Sequence, residues 1–178
     1  MKMKNDNVKV TSKSKSKYYN TVLITSVILL ILIVSTRMFI VFPVKVEGNS
    51  MDSTLITGEK YLVNKLDTPE KGDIIVFKSP YNENKNYVKR VIATEGDTIE
   101  IKQGKVYING EKIEEKYLEE HINSLDIGER LMEDMEEIKL NKEEYFVMGD
   151  NRLNSTDSRV FGEIEEESIK GVLMKNKE

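Results

Sequence analysis

Nineteen consecutive residues without a charge, Tyr18 to Thr36, constrain this chain more than any other feature, and within them Val27 to Val34 is wholly aliphatic. At about 1.5 Å per residue, a helix of that length nearly crosses a hydrocarbon layer of roughly 30 Å. Six lysines (Lys2, Lys4, Lys9, Lys13, Lys15, Lys17) precede it against one acid, Asp6. A cleavable leader and a permanent anchor both begin this way. Here the run continues into Arg37, Met38, Phe39, Ile40, Val41 and Phe42. These side chains are too bulky for the small-residue site at which leaders are cut. The sequence therefore predicts a single transmembrane anchor over residues 18–42. The lysines before it hold the N-terminus in the cytoplasm and place the rest of the chain outside. Residues 1–17, low in complexity, are expected to form a disordered cytoplasmic tail.

The chain carries a net charge of −4, which becomes −10 once the tail's +5 and the single charge of Arg37 are set aside. A body of that sign repels phosphate, so no nucleic-acid partner is expected. Cysteine is absent, which excludes disulfides, thiolate chemistry and cysteine-ligated zinc. There is one histidine, His121, so a hydrolase built here must use it or find another base. His121 lies among Glu119, Glu120, Asn123 and Ser124 with no triad partner in view, and reads as a surface residue. The acids show no EF-hand spacing, and no metal site is expected.

Beyond Pro43 the pattern turns to strands. Ile74 to Phe77, Tyr87 to Ala93, Thr98 to Lys102 and Lys105 to Ile108 are short and rich in β-branched or aromatic residues. Gly96-Asp97, Gln103-Gly104 and Asn109-Gly110 separate or end them, and Asn109-Gly110 suits a tight hairpin. Glu114 to Glu144, dominated by acids, fits helix or loop equally, and Val172-Leu173-Met174 suits a last strand. Residues 43–178 are thus expected to form one mostly β extracytoplasmic domain.

Three separated segments could carry chemistry. In Tyr87-Val88-Lys89-Arg90-Val91-Ile92, alternation places Tyr87, Lys89 and Val91 on one face. If that face is buried, desolvation lowers the Lys89 pKa and makes a neutral amine available as a base. An exposed lysine guarding a sheet edge is the competing reading. In Gly48-Asn49-Ser50-Met51-Asp52-Ser53-Thr54-Leu55, Ser50 is either a nucleophile awaiting a base or ordinary turn and cap chemistry. The third segment, Gly149 to Arg159, is either a solvated polar loop or a set of ion pairs. Asp157 could pair with Arg159, and Asp150 with Arg152 or Arg90.

Together these segments resemble the motifs of the type I (leader) signal peptidases. Ser50-Met51-Asp52-Ser53-Thr54-Leu55 is similar to that family's S-M-x-P-T-L, and Gly72-Asp73-Ile74-Ile75-Val76-Phe77 to its G-D-I-V-V-F. Tyr87 to Ile92, followed by Gly96-Asp97, resembles the segment holding its lysine base. Gly149-Asp150-Asn151-Arg152, Ser155, Asp157-Ser158-Arg159 and Phe161-Gly162 resemble G-D-N-R-x-x-S-x-D-S-R and its continuation. The resemblance covers roughly residues 18–175.

It implies a mostly β signal-peptidase-like domain behind one anchor, and a Ser–Lys endopeptidase needing no metal or organic cofactor. Ser50 would be the nucleophile and Lys89 the base, with Ser155 orienting the amine by a hydrogen bond. Asp157 with Arg159, and Asp150 with Arg90, would form supporting ion pairs. The Ser50 N–H would supply part of an oxyanion hole. Gly48 stands where some members offer a hydroxyl. The substrates would be signal peptides of exported preproteins at the cell membrane, and the apolar Met38 to Val44 suits contact with lipid. The departure is Ser53 in place of the family's proline, which would loosen the turn after the nucleophile. A catalytically impaired relative that binds export or assembly substrates would carry the same motifs. A self-cleaving Ser–Lys protease of the repressor type would share the pair but not the anchor.

Overall fold

The computed structural model describes residues 7–174. It divides into two units, an N-terminal helix and a body that begins at Val41.

Helix α1 (Asn7–Ile40) contains neither glycine nor proline, so nothing in it interrupts the hydrogen-bond ladder. Its stretch Lys17–Ser35 is long and apolar enough to cross a membrane. Side chains such as Leu23, Ile28 and Leu32 are well over half exposed, a surface that water would penalise and hydrocarbon would not. The hydroxyls of Thr21, Thr25, Ser26 and Ser35 each donate back to a carbonyl three or four residues earlier, which satisfies them without solvent. The disordered tail expected over residues 1–17 is not found where the structure describes it. Residues 1–6 lie outside the described residues, whereas 7–17 continue the helix. Extending an existing helix costs far less than starting one, and straight-chain lysines tolerate it.

The body starts two residues earlier than the sequence suggests, because Val41 and Phe42 pair with Asn64 and Val63. Its elements are β1 (Val41–Lys45), β2 (Lys60–Asn64), β3 (Ile74–Ser79), β4 (Asn82–Ala93), β5 (Thr98–Lys102), β6 (Lys105–Ile108) and β7 (Glu111–Lys112). Then come α2 (Glu119–Asn123), β8 (Met135–Lys139), β9 (Glu144–Met148), α3 (Ser158–Phe161), β10 (Ile164–Glu165) and β11 (Ile169–Leu173). One seven-stranded antiparallel sheet runs β1-β2-β11-β3-β4-β9-β10, and a four-stranded one runs β7-β6-β5-β8. The Asn109-Gly110 hairpin forms as expected, with φ of 53° and 79° joining Ile108 to its partner Glu111.

The acidic stretch resolves into α2, loop and strand β8, which completes the small sheet beside β5. The large sheet is covered on both faces, which explains the unbroken apolar runs in β3 and β9. Ile75, Phe77, Val91, Tyr145 and Val147 pack on one side. Val76 turns to the other, with Val46, Met51, Leu55, Val63 and Leu173. A third core joins the end of β4 and β9 to the small sheet through Ile92, Phe146, Met148, Ile99 and Ile101. Burying side chains of this size contributes about 1.5–3 kcal/mol each.

Candidate active site

The segment after β1 turns sharply, with the Asp52 N–H donating to the Asn49 carbonyl and Leu55 N–H to that of Met51. Met51 and Leu55, four residues apart, both sink into the core, at 1% and 6% exposure. They pin the turn, so Ser50 beside them is held at the rim with little freedom. The Asn151 N–H donates to the Ser50 carbonyl at 3.0 Å, which ties this turn to the Gly149–Arg159 segment.

Lys89 sits in β4 opposite Ile75, one residue before β9 joins the strand's other side at Arg90. It is 4% exposed, and its Nζ donates to Ser50 Oγ at 2.6 Å. Burial lowers its pKa to about 8; Asp157 and Asp150 oppose the shift, and Arg159 reinforces it. Tyr87 and Val91 share its face as the alternation implies, while Val88 and Ile92 enter other cores. The reading of Lys89 as an exposed edge lysine does not hold.

Asp157 and Arg159 form a two-pronged pair, Nε to Oδ1 and Nη2 to Oδ2, each at 2.8 Å. Asp157 also accepts from the Gly149 N–H at 2.9 Å. Burial opposes its ionisation, but the Arg159 guanidinium and the Gly149 N–H outweigh it and hold the carboxyl below its usual range. Asp150, fully buried, takes Arg90 as partner rather than Arg152, through Nε at 2.9 Å and Nη2 at 2.6 Å. The remaining Arg90 nitrogen donates to the Gly72 carbonyl.

Ser155 departs from expectation. Its buried Oγ makes no hydrogen bond to the Lys89 amine, so the expected bond is not formed; the hydroxyl lies instead near Asp157 and helps hold that carboxyl ionised. The hydroxyl lies against Gly149, where only the missing Cβ leaves it room, and the amine reaches Ser50 instead. Ser53 also differs from a merely loosened proline turn. It adopts φ of 72°, a region closed to proline, and its N–H donates to Asp52 Oδ1. Gly48 takes φ of 87°, so the backbone there favours the residue that offers no hydroxyl. His121 is half-buried rather than on the surface, its Nδ1 unbonded, and it joins none of the hydrogen bonds around Ser50.

Beside the site, Arg152, named in the sequence only as a possible partner of Asp150, is buried, and half-buried Glu115 and Tyr117 were missed. Arg152 donates through Nε to the Gly149 carbonyl, and its other nitrogens reach Glu115. Tyr117 donates to the same Glu115 carboxylate at 2.7 Å. Nothing in the acidic run distinguishes Glu115 from its exposed neighbours.

A cleft of about 780 Å³ opens at Ser50 and Lys89, walled by β1 and the first half of β4, with Phe42, Val44, Val88 and Thr156 among its lining. Among the described residues, β1 pairs only with β2, and β4 before Arg90 only with β3. Each therefore offers the cleft an unpaired edge. Among the described residues, no group of three or more His, Asp or Glu side chains is placed to hold a metal ion.

Comparison with known proteins gives a consistent result. The family model for signal peptidase, peptidase S26, matches residues 19–175. Signal peptidase I T of Bacillus subtilis (strain 168) is 39% identical over 94% of this chain and 90% of its own length. Signal peptidase I of Bacillus licheniformis is 40% identical over 85% of this chain and 82% of its own. The crystal structure of a signal peptidase I from Enterococcus faecalis V583 matches with a TM-score of 0.57 and 34% identity. It covers 61% of this chain and 98% of that one. With its anchor-like helix, β body and motifs in matching order, this chain belongs to the signal peptidase S26 family.

Proposed function

We propose that this protein is a membrane-anchored signal peptidase, a serine endopeptidase in which Ser50 attacks the scissile carbonyl and Lys89 moves the protons. The observation that carries this is the 2.6 Å contact between Lys89 Nζ and Ser50 Oγ, made by an amine whose burial lowers its pKa to about 8. At pH 7 roughly one such lysine in ten is neutral. In that form its lone pair accepts the Ser50 proton as Oγ bonds to the carbonyl carbon. The Ser50 N–H faces the resulting oxyanion as one donor. Collapse breaks the C–N bond, and the lysine ammonium gives its proton to the leaving amine. Water, deprotonated by the again neutral Lys89, then hydrolyses the ester.

An extended substrate fits the cleft by adding a strand between the free edges of β1 and β4. Alternate side chains then point at apolar walls such as Val44 and Val88, which suits small apolar residues before the cut. Signal peptides of exported preproteins present such residues just beyond a hydrophobic segment, next to the lipid in which α1 would sit. Lysines ahead of its apolar stretch favour a cytoplasmic N-terminus and an extracytoplasmic body, and the acidic body favours peptide over nucleic acid as partner. The intact Ser50–Lys89 contact gives no support to an impaired, substrate-binding relative.

Cleavage of a purified preprotein by the detergent-solubilised chain tests the reaction. One cut after small residues, lost in Ser50→Ala, is expected; equal cutting by both would overturn it. Because the chain lacks cysteine, single cysteines placed in the tail and in the body test orientation. An impermeant maleimide added to intact cells should label only the body.

A further inference from the structure

Ser50, Lys89 and the Gly149–Ser155 segment come from three distant parts of the sequence, so something must hold them in register. Tyr117 touches a neighbour of each: Arg90 beside Lys89, Ser53 in the Ser50 turn, and Arg152 in the third segment. The Arg90 guanidinium, next to Lys89, lies 4.1 Å from the centre of its ring. The Arg152 guanidinium, next to Asn151, lies 5.9 Å from the same centre and donates to the Tyr117 hydroxyl at 3.3 Å. The Tyr117 carbonyl accepts from the Ser53 hydroxyl of the nucleophile turn, at 3.4 Å. Two guanidinium groups that would repel each other thus share one electron-rich ring.

Glu115 makes the arrangement tolerable inside the protein. Its carboxylate accepts from Arg152 and from the Tyr117 hydroxyl, and the side chains of Arg152 and Glu115 are 0% and 9% exposed. Burial, with Glu115 reinforcing it, drives the Tyr117 pKa above its ordinary value, so the hydroxyl stays a donor. The next residue, Leu118, is 2% exposed in the core of the small sheet. The segment is therefore fixed at its far end by apolar packing and at its near end by charge. Tyr117 does not line the cleft, so substrate has no reason to meet it.

We infer that Tyr117, backed by Glu115 and Arg152, is a positioning residue through which the small sheet holds the Ser50 turn, the Lys89 strand and the Gly149–Ser155 segment together. This rests on the Ser50–Lys89 reading of the reaction. Its ring carries the function, as the surface on which Arg90 and Arg152 both rest, and the hydroxyl refines it. A displacement of about an ångström between nucleophile and base costs on the order of a hundredfold in rate.

The test measures kcat and KM for preprotein cleavage by the full chain, with Ser50→Ala, Tyr117→Ala, Tyr117→Leu and Tyr117→Phe. Activity is expressed per folded molecule from near-ultraviolet circular dichroism. Tyr117→Ala and Tyr117→Leu should lower kcat at least about tenfold with KM within about threefold, and Tyr117→Phe should recover most of the loss. Tyr117→Leu serves if the alanine variant does not fold. Wild-type kcat per folded molecule in either would overturn the assignment, as would a phenylalanine variant no better than leucine. If instead Ser50→Ala cuts as well as wild type, the underlying reading of the reaction fails, and the positioning role with it.

Discussion

Gly149 packs so closely on Ser50 that a Cβ on its Cα would lie 2.5 Å from the Ser50 carbonyl oxygen, and nearer still to Ser155 Oγ. Neither Ser50 nor Gly149 can retreat freely. The Ser50 carbonyl is bonded to the Asn151 N–H, and the Gly149 N–H to Asp157. Gly149→Ala should therefore push the nucleophile off its base and lower kcat by about a hundredfold. The added methyl meets Ser50 and Ser155 and no core side chain directly, so thermal unfolding should still be cooperative. Wild-type kcat in this variant would show that Ser50 tolerates displacement.

Ser53 makes a second expectation sharp. At φ of 72°, it occupies a conformation that proline's ring forbids. Restoring the family's proline by Ser53→Pro should destabilise the chain by roughly 1–3 kcal/mol and reduce cleavage, since the bond from its N–H to Asp52 is lost as well. Denaturant unfolding of the solubilised protein reads the first effect. A proline variant more stable than wild type would mean that this turn readily takes the opposite sign of φ.

Lys89 should reduce stability where it serves catalysis. Its folded pKa of about 8 lies below the value of roughly 10.4 for a free lysine, so between these the unfolded chain binds more protons. The penalty is fully present below pH 8 and disappears as pH rises through that window. It amounts to something on the order of 3 kcal/mol. Lys89→Met, similar in volume and uncharged, should abolish cutting yet melt higher than wild type at pH 7. The gap should close toward pH 10. Parallel stability curves for the two proteins would contradict this.

The sequence made some of this plain and hid the rest for physical reasons. The charge-free run before Arg37 marks its helix because length and lack of charge act locally. Ser50 and Lys89 were visible as parts of motifs, although their own neighbourhoods left the outcome open. What turned Lys89 from a surface lysine into a buried amine is the packing of β4 beside β3 and the turn at Ser50. Strand β8 stayed hidden because Met135 and Ile138 are its only apolar residues, and a bulge breaks its alternation. Glu115 and Tyr117 left no trace at all. Their burial depends on Arg152, far along the chain, and an acid in an acid-rich stretch gives no sign of a distant partner.

The most direct test of the Ser–Lys account is the pH dependence of kcat/KM for preprotein cleavage by wild type, beside Ser50→Ala and Lys89→Ala. Only the neutral amine accepts the serine proton, so the wild-type rate should rise with pH through an apparent pKa near 8 and then level. Both variants should be inactive across the range. A wild-type rate independent of pH between 6 and 10 (roughly two units either side of that midpoint), or cutting by Lys89→Ala equal to wild type, would contradict it.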